Sequence, residues 1–193
     1  MIDVKEHLYD DDPAKGHPDV RTKLKDVSYF FLGNGHIQAA VQIAPSGEGT
    51  PVGLLIMNPE HLGKKREALT YDPDSGLENT MIHLISAPTA KTTGPGALEA
   101  GWLEGYEFPV AQILWQVGNF QVAEFFYCPH LSHPVIMREV RLKNITNSTI
   151  QARLKTGVLD KTIDEEFSLE PERIKKVFLR YTLNSSGKHV IID

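Results

Sequence analysis

The chain has 193 residues, 41% of them hydrophobic, and a formal net charge of −5 with both signs interspersed. That length and composition suit one globular domain and exclude an intrinsically disordered chain. The lack of a basic stripe argues against a nucleic-acid partner, no apolar run approaches a membrane span, and a single cysteine, Cys128, rules out an internal disulfide.

Residues 1–26 are polar and rich in Asp, Lys and Pro, and read as a lead-in to a β-domain over 27–193, with a turn at Asp10-Asp11-Asp12-Pro13. The N-terminus has no apolar core of signal-peptide length, so a cytoplasmic location is expected. The first strand is predicted over 27–32, followed by the turn Gly33-Asn34-Gly35 and a second strand over 36–44. In that second strand Ile37, Ala39, Val41 and Ile43 alternate with Gln38, Ala40 and Gln42. A loop over 45–51 leads to an apolar strand over 52–57. Residues 59–76 read as a connection, 80–86 as a strand, and 87–101, with Pro88, Gly94, Pro95 and Gly96, as a long surface loop.

The clearest pattern runs from 110 to 158. Two alternating runs, 110–117 and 120–127, flank Gly118-Asn119, a two-residue hairpin signal because glycine supplies the positive φ of a primed turn. Pairing outward puts Ala111, Ile113, Trp115 and Val117 on one apolar face with Phe120, Val122 and Phe126. A second hairpin is predicted from 135–143 and 149–158, joined by residues 144–148. Its dry face carries Ile136, Val140, Leu142, Ile150, Ala152 and Leu154, and its wet face Glu139, Arg141, Lys143, Gln151, Arg153 and Lys155. A sheet with one dry and one wet side is the unit of a β-sandwich. Residues 161–175 turn from acidic to basic and suggest a connection with only a short helical turn around 171–174. A strand follows over 177–183, then a turn over 185–187 and a last strand from His189. That strand begins with no turn or cap after it, so a longer polypeptide is expected. The expected fold is all-β, an antiparallel two-sheet sandwich with few or no helices.

Few residues suggest chemistry. Gly33-Asn34-Gly35-His36 lacks the helix and lysine of a phosphate loop and reads as a hairpin turn. Cys128, His130 and His133 have workable ligand spacing, but Pro129 and Pro134 mark a turn and no further pair completes a tetrahedral set, so no metal or other cofactor is expected. Overlapping sequons at Asn144 and Asn147, and another at Asn184, read as turn chemistry. Glu124 falls on the apolar face opposite Ile113. A desolvated carboxylate there could act as acid or base, or it could pair with Arg138, sit at a rim, or be re-aimed by a bulge. Trp102 and Tyr106 are aromatics able to stack on a sugar ring, with Glu104 and Glu107 placed to hold hydroxyls, whereas Trp115 reads as core. No residue is nominated as catalytic.

Phe30-Phe-Leu-Gly-Asn-Gly-His-Ile-Gln38 resembles the opening hairpin of the N-terminal domain found in many glycoside hydrolases and phosphorylases. Phe120-Gln-Val-Ala-Glu-Phe-Phe-Tyr-Cys-Pro129 and His133-Pro-Val-Ile-Met-Arg-Glu-Val-Arg-Leu-Lys-Asn144 are similar to that domain's central strands. The likeness extends over most of 27–160 and is structural rather than catalytic. It implies a super-sandwich related in shape to galactose mutarotase, preceding an (α/α)6 barrel that carries two catalytic carboxylates, as in glucoamylase-like, debranching-enzyme-like and cellobiose-phosphorylase-like enzymes. This chain has no series of amphipathic helices, so the resemblance implies a non-catalytic domain whose partner is that barrel, with an oligosaccharide as a further partner. Three readings stand beside it. One is a carbohydrate-binding module, and another is a self-associating structural sandwich. The third is a free-standing aldose epimerase of mutarotase type, with Glu124 and His83 or His133 as its acid and base.

Overall fold

Alternation of buried and exposed side chains organises this protein into strands paired throughout in antiparallel fashion. The computed structural model describes residues 28–44, 51–61, 68–72, 74–86, 98–129 and 132–193. The expected lead-in 1–26, residues 45–50 of the first loop, the proline- and glycine-rich stretch 87–97 and His130 lie outside them.

The strands are β1 (Ser28–Gly33), β2 (Gln38–Ile43), β3 (Val52–Met57), β4 (His83–Ser86), β5 (Glu99–Leu103), β6 (Val110–Val117), β7 (Phe120–Tyr127), β8 (Val135–Asn144), β9 (Ile150–Val158), β10 (Lys161–Leu169), β11 (Ile174–Leu183) and β12 (Val190–Ile192). They form a six-stranded sheet, β12-β11-β8-β7-β6-β5, and two three-stranded sheets, β1-β2-β3 and β10-β9-β4. One apolar cluster draws on all three. Trp115, Phe120, Phe126, Ile136 and Tyr181 of the large sheet meet Val41, Leu54 and Ile56 of the first small sheet and Ile150 and Leu154 of the second. The architecture is the all-β sandwich expected from the alternation, with 3-10 turns at Pro59–His61 and Glu78–Thr80.

The β6–β7 hairpin has the predicted register. Val117 opposes Phe120 across a two-residue turn, and Gly118 sits at φ 52°. The second predicted hairpin does not form. β8 pairs with β7 and β11, whereas β9 pairs with β10 and β4 in a different sheet. The predicted dry faces hold, with Ile136, Val140 and Leu142 buried together with Ile150, Ala152 and Leu154. They meet across the core instead of side by side. Asn144 turns the corner: its Nδ2 donates to the carbonyls of Ser148 and Leu169, and its Oδ1 accepts from Thr146 N and Oγ1.

Five further expectations are corrected. Residues 161–169 are a strand, β10, not a connection. Its inward Ile163, Phe167 and Leu169 are separated by charges that satisfy β9, with Arg153 Nε 2.5 Å and Nη2 2.6 Å from the two carboxylate oxygens of Asp164. Around 171–174 the chain makes a turn with Glu172 at φ 59°, not a helix, and β11 begins at Ile174, not 177. Residues 99–101, expected in a loop, belong to edge strand β5. The strand predicted over 80–86 starts only at His83, since Thr80 closes a 3-10 turn.

That turn seals the seam between the two small sheets. The free edge of β3 is satisfied by two threonine side chains and one backbone amide standing where a neighbouring strand would. Thr80 Oγ1 accepts from Leu54 N, Thr70 Oγ1 accepts from Ile56 N and donates to Leu54 O, and Leu69 N donates to Ile56 O.

Candidate functional site

Inside the sandwich, Glu124 lies opposite Ile113 as the register predicted, and it is fully buried. Of the roles open to it, pairing with Arg138 is the one realised. Arg138 Nε donates to Glu124 Oε2 at 2.7 Å, and Trp115 Nε1 donates to Oε1 at 2.7 Å. Arg138 Nη2 touches the same Oε2 in ion-pair contact without hydrogen-bond geometry. Its Nη1 donates to Thr80 O at 2.5 Å and lies 3.4 Å from the Tyr181 hydroxyl. Burial works against the Arg138 charge, but the facing Glu124 carboxylate and the Tyr181 hydroxyl together more than offset it, and its pKa rises. Tyr181 is raised mainly by desolvation. The network ties the large sheet to the seam turn at Thr80 and leaves Glu124 no free lone pair facing solvent.

The residues nominated for epimerisation are not brought together. His83 stands opposite Lys155 in the small sheet, its Nε2 3.1 Å from Glu78 O, while Glu124 is sealed in the core. His133 is exposed in the β7–β8 connection beside Ser132, and its carbonyl accepts from Asn34 Nδ2 at 2.7 Å. Burial pushes the Cys128 thiol up to about 11, so it is a poor thiolate ligand. Among the described residues, no group of three His, Cys, Asp or Glu side chains could hold a metal ion. A cleft of about 350 Å3 beside the β1–β2 turn is lined by Phe31, Gly33, Gly35, Gln38 and Met57, none of which titrates.

The four residues nominated for sugar contact all sit on β5 or on the loop leading to β6. Trp102 is 49% exposed; it lies opposite the buried Ala111 and packs edge-on against Phe30, with ring centroids 5.0 Å apart. Glu104 and Glu107 are exposed. Tyr106, 57% exposed, lies within electrostatic reach of Arg141 on the outer face of the six-stranded sheet. Trp102 therefore addresses the core side of the sheet edge and Tyr106 the outer face, so the two rings do not form one platform.

The outer face carries aromatic rings not among the nominated residues, beside the Glu139 and Arg141 expected on a wet face. Across β6, β7, β8 and β11 runs the row Gln112, Phe125, Glu139, Phe178. Beside it, Tyr127 stacks on Phe108 with centroids 5.4 Å apart. Arg141 Nε donates to Glu139 Oε1 at 2.7 Å, and its guanidinium lies 4.3 Å over the Phe125 ring. The hydrogen bond that Arg141 donates to Glu139 is the largest reason the Arg141 pKa is raised, and Tyr127 is raised by burial and then by the Glu139 charge. The signal was present in the doublet Phe125-Phe126. Neighbours on a strand face opposite sides, so one of the two rings had to lie among Glu139 and Arg141.

Comparisons of this chain with protein-family models, with curated proteins and with solved structures find no match. No helix among the described residues is long and apolar enough to cross a membrane.

Proposed function

We propose that this chain is a non-catalytic β-sandwich domain of a carbohydrate-active enzyme, a glycoside hydrolase or phosphorylase, packing against and shaping a separate (α/α)6 catalytic barrel in the cytoplasm. The observation that carries this reading is the Glu124–Arg138 pair. The carboxylate best placed to do acid–base work is neutralised and closed off in the core, far from the role a sugar-converting site would demand of it. The sandwich architecture agrees with the super-sandwich resemblance, and the epimerase reading is disfavoured by the separation of Glu124, His83 and His133. A second reading, a sugar-binding module, is favoured by the exposed Trp102 and Tyr106 and by the aromatic and charged outer sheet face.

Polarimetry on freshly dissolved α-glucose tests the non-catalytic assignment. The expected result is mutarotation at the buffer rate, and clear acceleration by the purified chain would sink it. Titration calorimetry with maltose and cellobiose separates the scaffold from the binding module. Binding that is lost in Trp102→Ala or Tyr106→Ala establishes the module; heats no larger than dilution leave the scaffold.

A further inference from the structure

On the outer sheet face, Arg141 of β8 stands directly opposite Lys176 of β11. Like charges in opposed positions destabilise a sheet. One carboxylate serves both cations: Glu139 Oε1 lies 2.7 Å from Arg141 Nε and 3.9 Å from Lys176 Nζ. Two cations and one carboxylate leave the cluster at net +1. Arg141 is also held in place, its Nε fixed by Glu139 and its plane by Phe125. Among the described residues neither of its Nη groups makes a hydrogen bond, so the open end of the fork is presented to solvent. Around it stand the Tyr106 and Tyr127 phenols, both within electrostatic reach, and the Phe178 ring, 54% exposed and opposite Glu139.

We infer that this patch binds an anionic saccharide, a pyranose ring bearing one carboxylate, as in a uronic acid. The inference rests on the sugar-binding reading above and names its ligand class. An arginine fork whose orientation is already fixed matches a carboxylate in bidentate fashion and loses little freedom on binding. Exposed aromatic rings alongside suit the apolar C–H face of the sugar that carries it. Charge selects between anions: one carboxylate cancels the surplus +1, whereas a phosphate dianion exceeds it and also meets Glu139. A neutral sugar would leave the surplus +1 in place.

Calorimetry of the whole chain at low ionic strength with galacturonate, maltotriose and glucose 1-phosphate decides the matter. Galacturonate is expected to bind, with the other two at least about tenfold weaker, as follows from losing a charge-assisted hydrogen bond. Arg141→Lys keeps the charge but loses the fork and should weaken galacturonate about tenfold or more. Lys176→Gln, which leaves the Arg141–Glu139 pair in place, should weaken it less and flatten its salt dependence. Unchanged thermal melts confirm that both variants fold. Equal binding of maltotriose, indifferent to Arg141→Lys, overturns the inference while the sugar-binding reading stands. Tighter binding of glucose 1-phosphate overturns it in favour of a phosphate site. Silence from all three ligands overturns it together with the sugar-binding reading and leaves the scaffold alone.

Discussion

At the level of single side chains, Arg138 has the most at stake. It is fully buried, its charge is answered by Glu124, and its Nη1 reaches the carbonyl of Thr80 in the opposite layer. Removing one member of such a pair strands the other charge in the core, whereas replacing both by apolar groups of similar size can be nearly neutral. Arg138→Ala is expected to destabilise the fold by about 3–5 kcal/mol, and Arg138→Met with Glu124→Leu by much less. Urea titrations of the two singles and the double measure the difference; a double mutant as unstable as Arg138→Ala would show that Glu124 draws little stability from this guanidinium. Half of this network was legible in the sequence. Pairing outward from Gly118-Asn119 put Glu124 on the dry face, and Arg138 sat at the right parity on the next strand. The Thr80 contact was hidden, because it joins residues 58 positions apart through a turn whose position no local pattern fixes.

Among the elements, the β9–β10 hairpin depends on one glycine. A methyl group on Gly157 would stand 2.1 Å from the backbone oxygen of Lys161 in the paired strand, and backbone cannot step aside as a flexible side chain can. Gly157→Ala should cost about 3 kcal/mol. Gly101→Ala, on edge strand β5 with nothing within 4 Å, should change stability by no more than about 0.5 kcal/mol. Melting temperatures of the two variants check the contrast, and equal shifts would contradict it. This hairpin also shows where sequence reading failed. Glycine with asparagine between alternating runs announced β6–β7, but the β9–β10 turn carries Leu159 at φ 49° and no glycine or asparagine in its two central positions. β10 itself wears the charges of a protected edge strand, so its apolar Ile163, Phe167 and Leu169 were lost among acids. Alternation specifies which side of a strand is dry. It does not specify the neighbour, which is why β8 and β9 were paired when they in fact face each other.

For the molecule as a whole, one buried cluster joining three sheets predicts one unfolding event. The two tryptophans report on different places, since Trp115 is in the core and Trp102 lies half-exposed at a sheet edge. Far-UV circular dichroism and tryptophan fluorescence are expected to give the same urea midpoint, and separated midpoints would mean that one small sheet melts alone. The bulk outline of this architecture was readable from turn spacing and dry faces. The division of the second layer into two small sheets was not, because it depends on threonine hydroxyls at 70 and 80 that resemble any loop threonine.

Those two hydroxyls have a consequence for how the protein behaves in a crowd. Val52–Met57 has six buried residues, no charge and no proline, the makings of a cross-β segment. Its outward amides are already occupied by Thr70 and Thr80, so a passing molecule finds no rung on which to add a strand. Stripped of them, the same six residues would become a template for fibrils, and shelf life rather than ligand chemistry would be the first property to suffer.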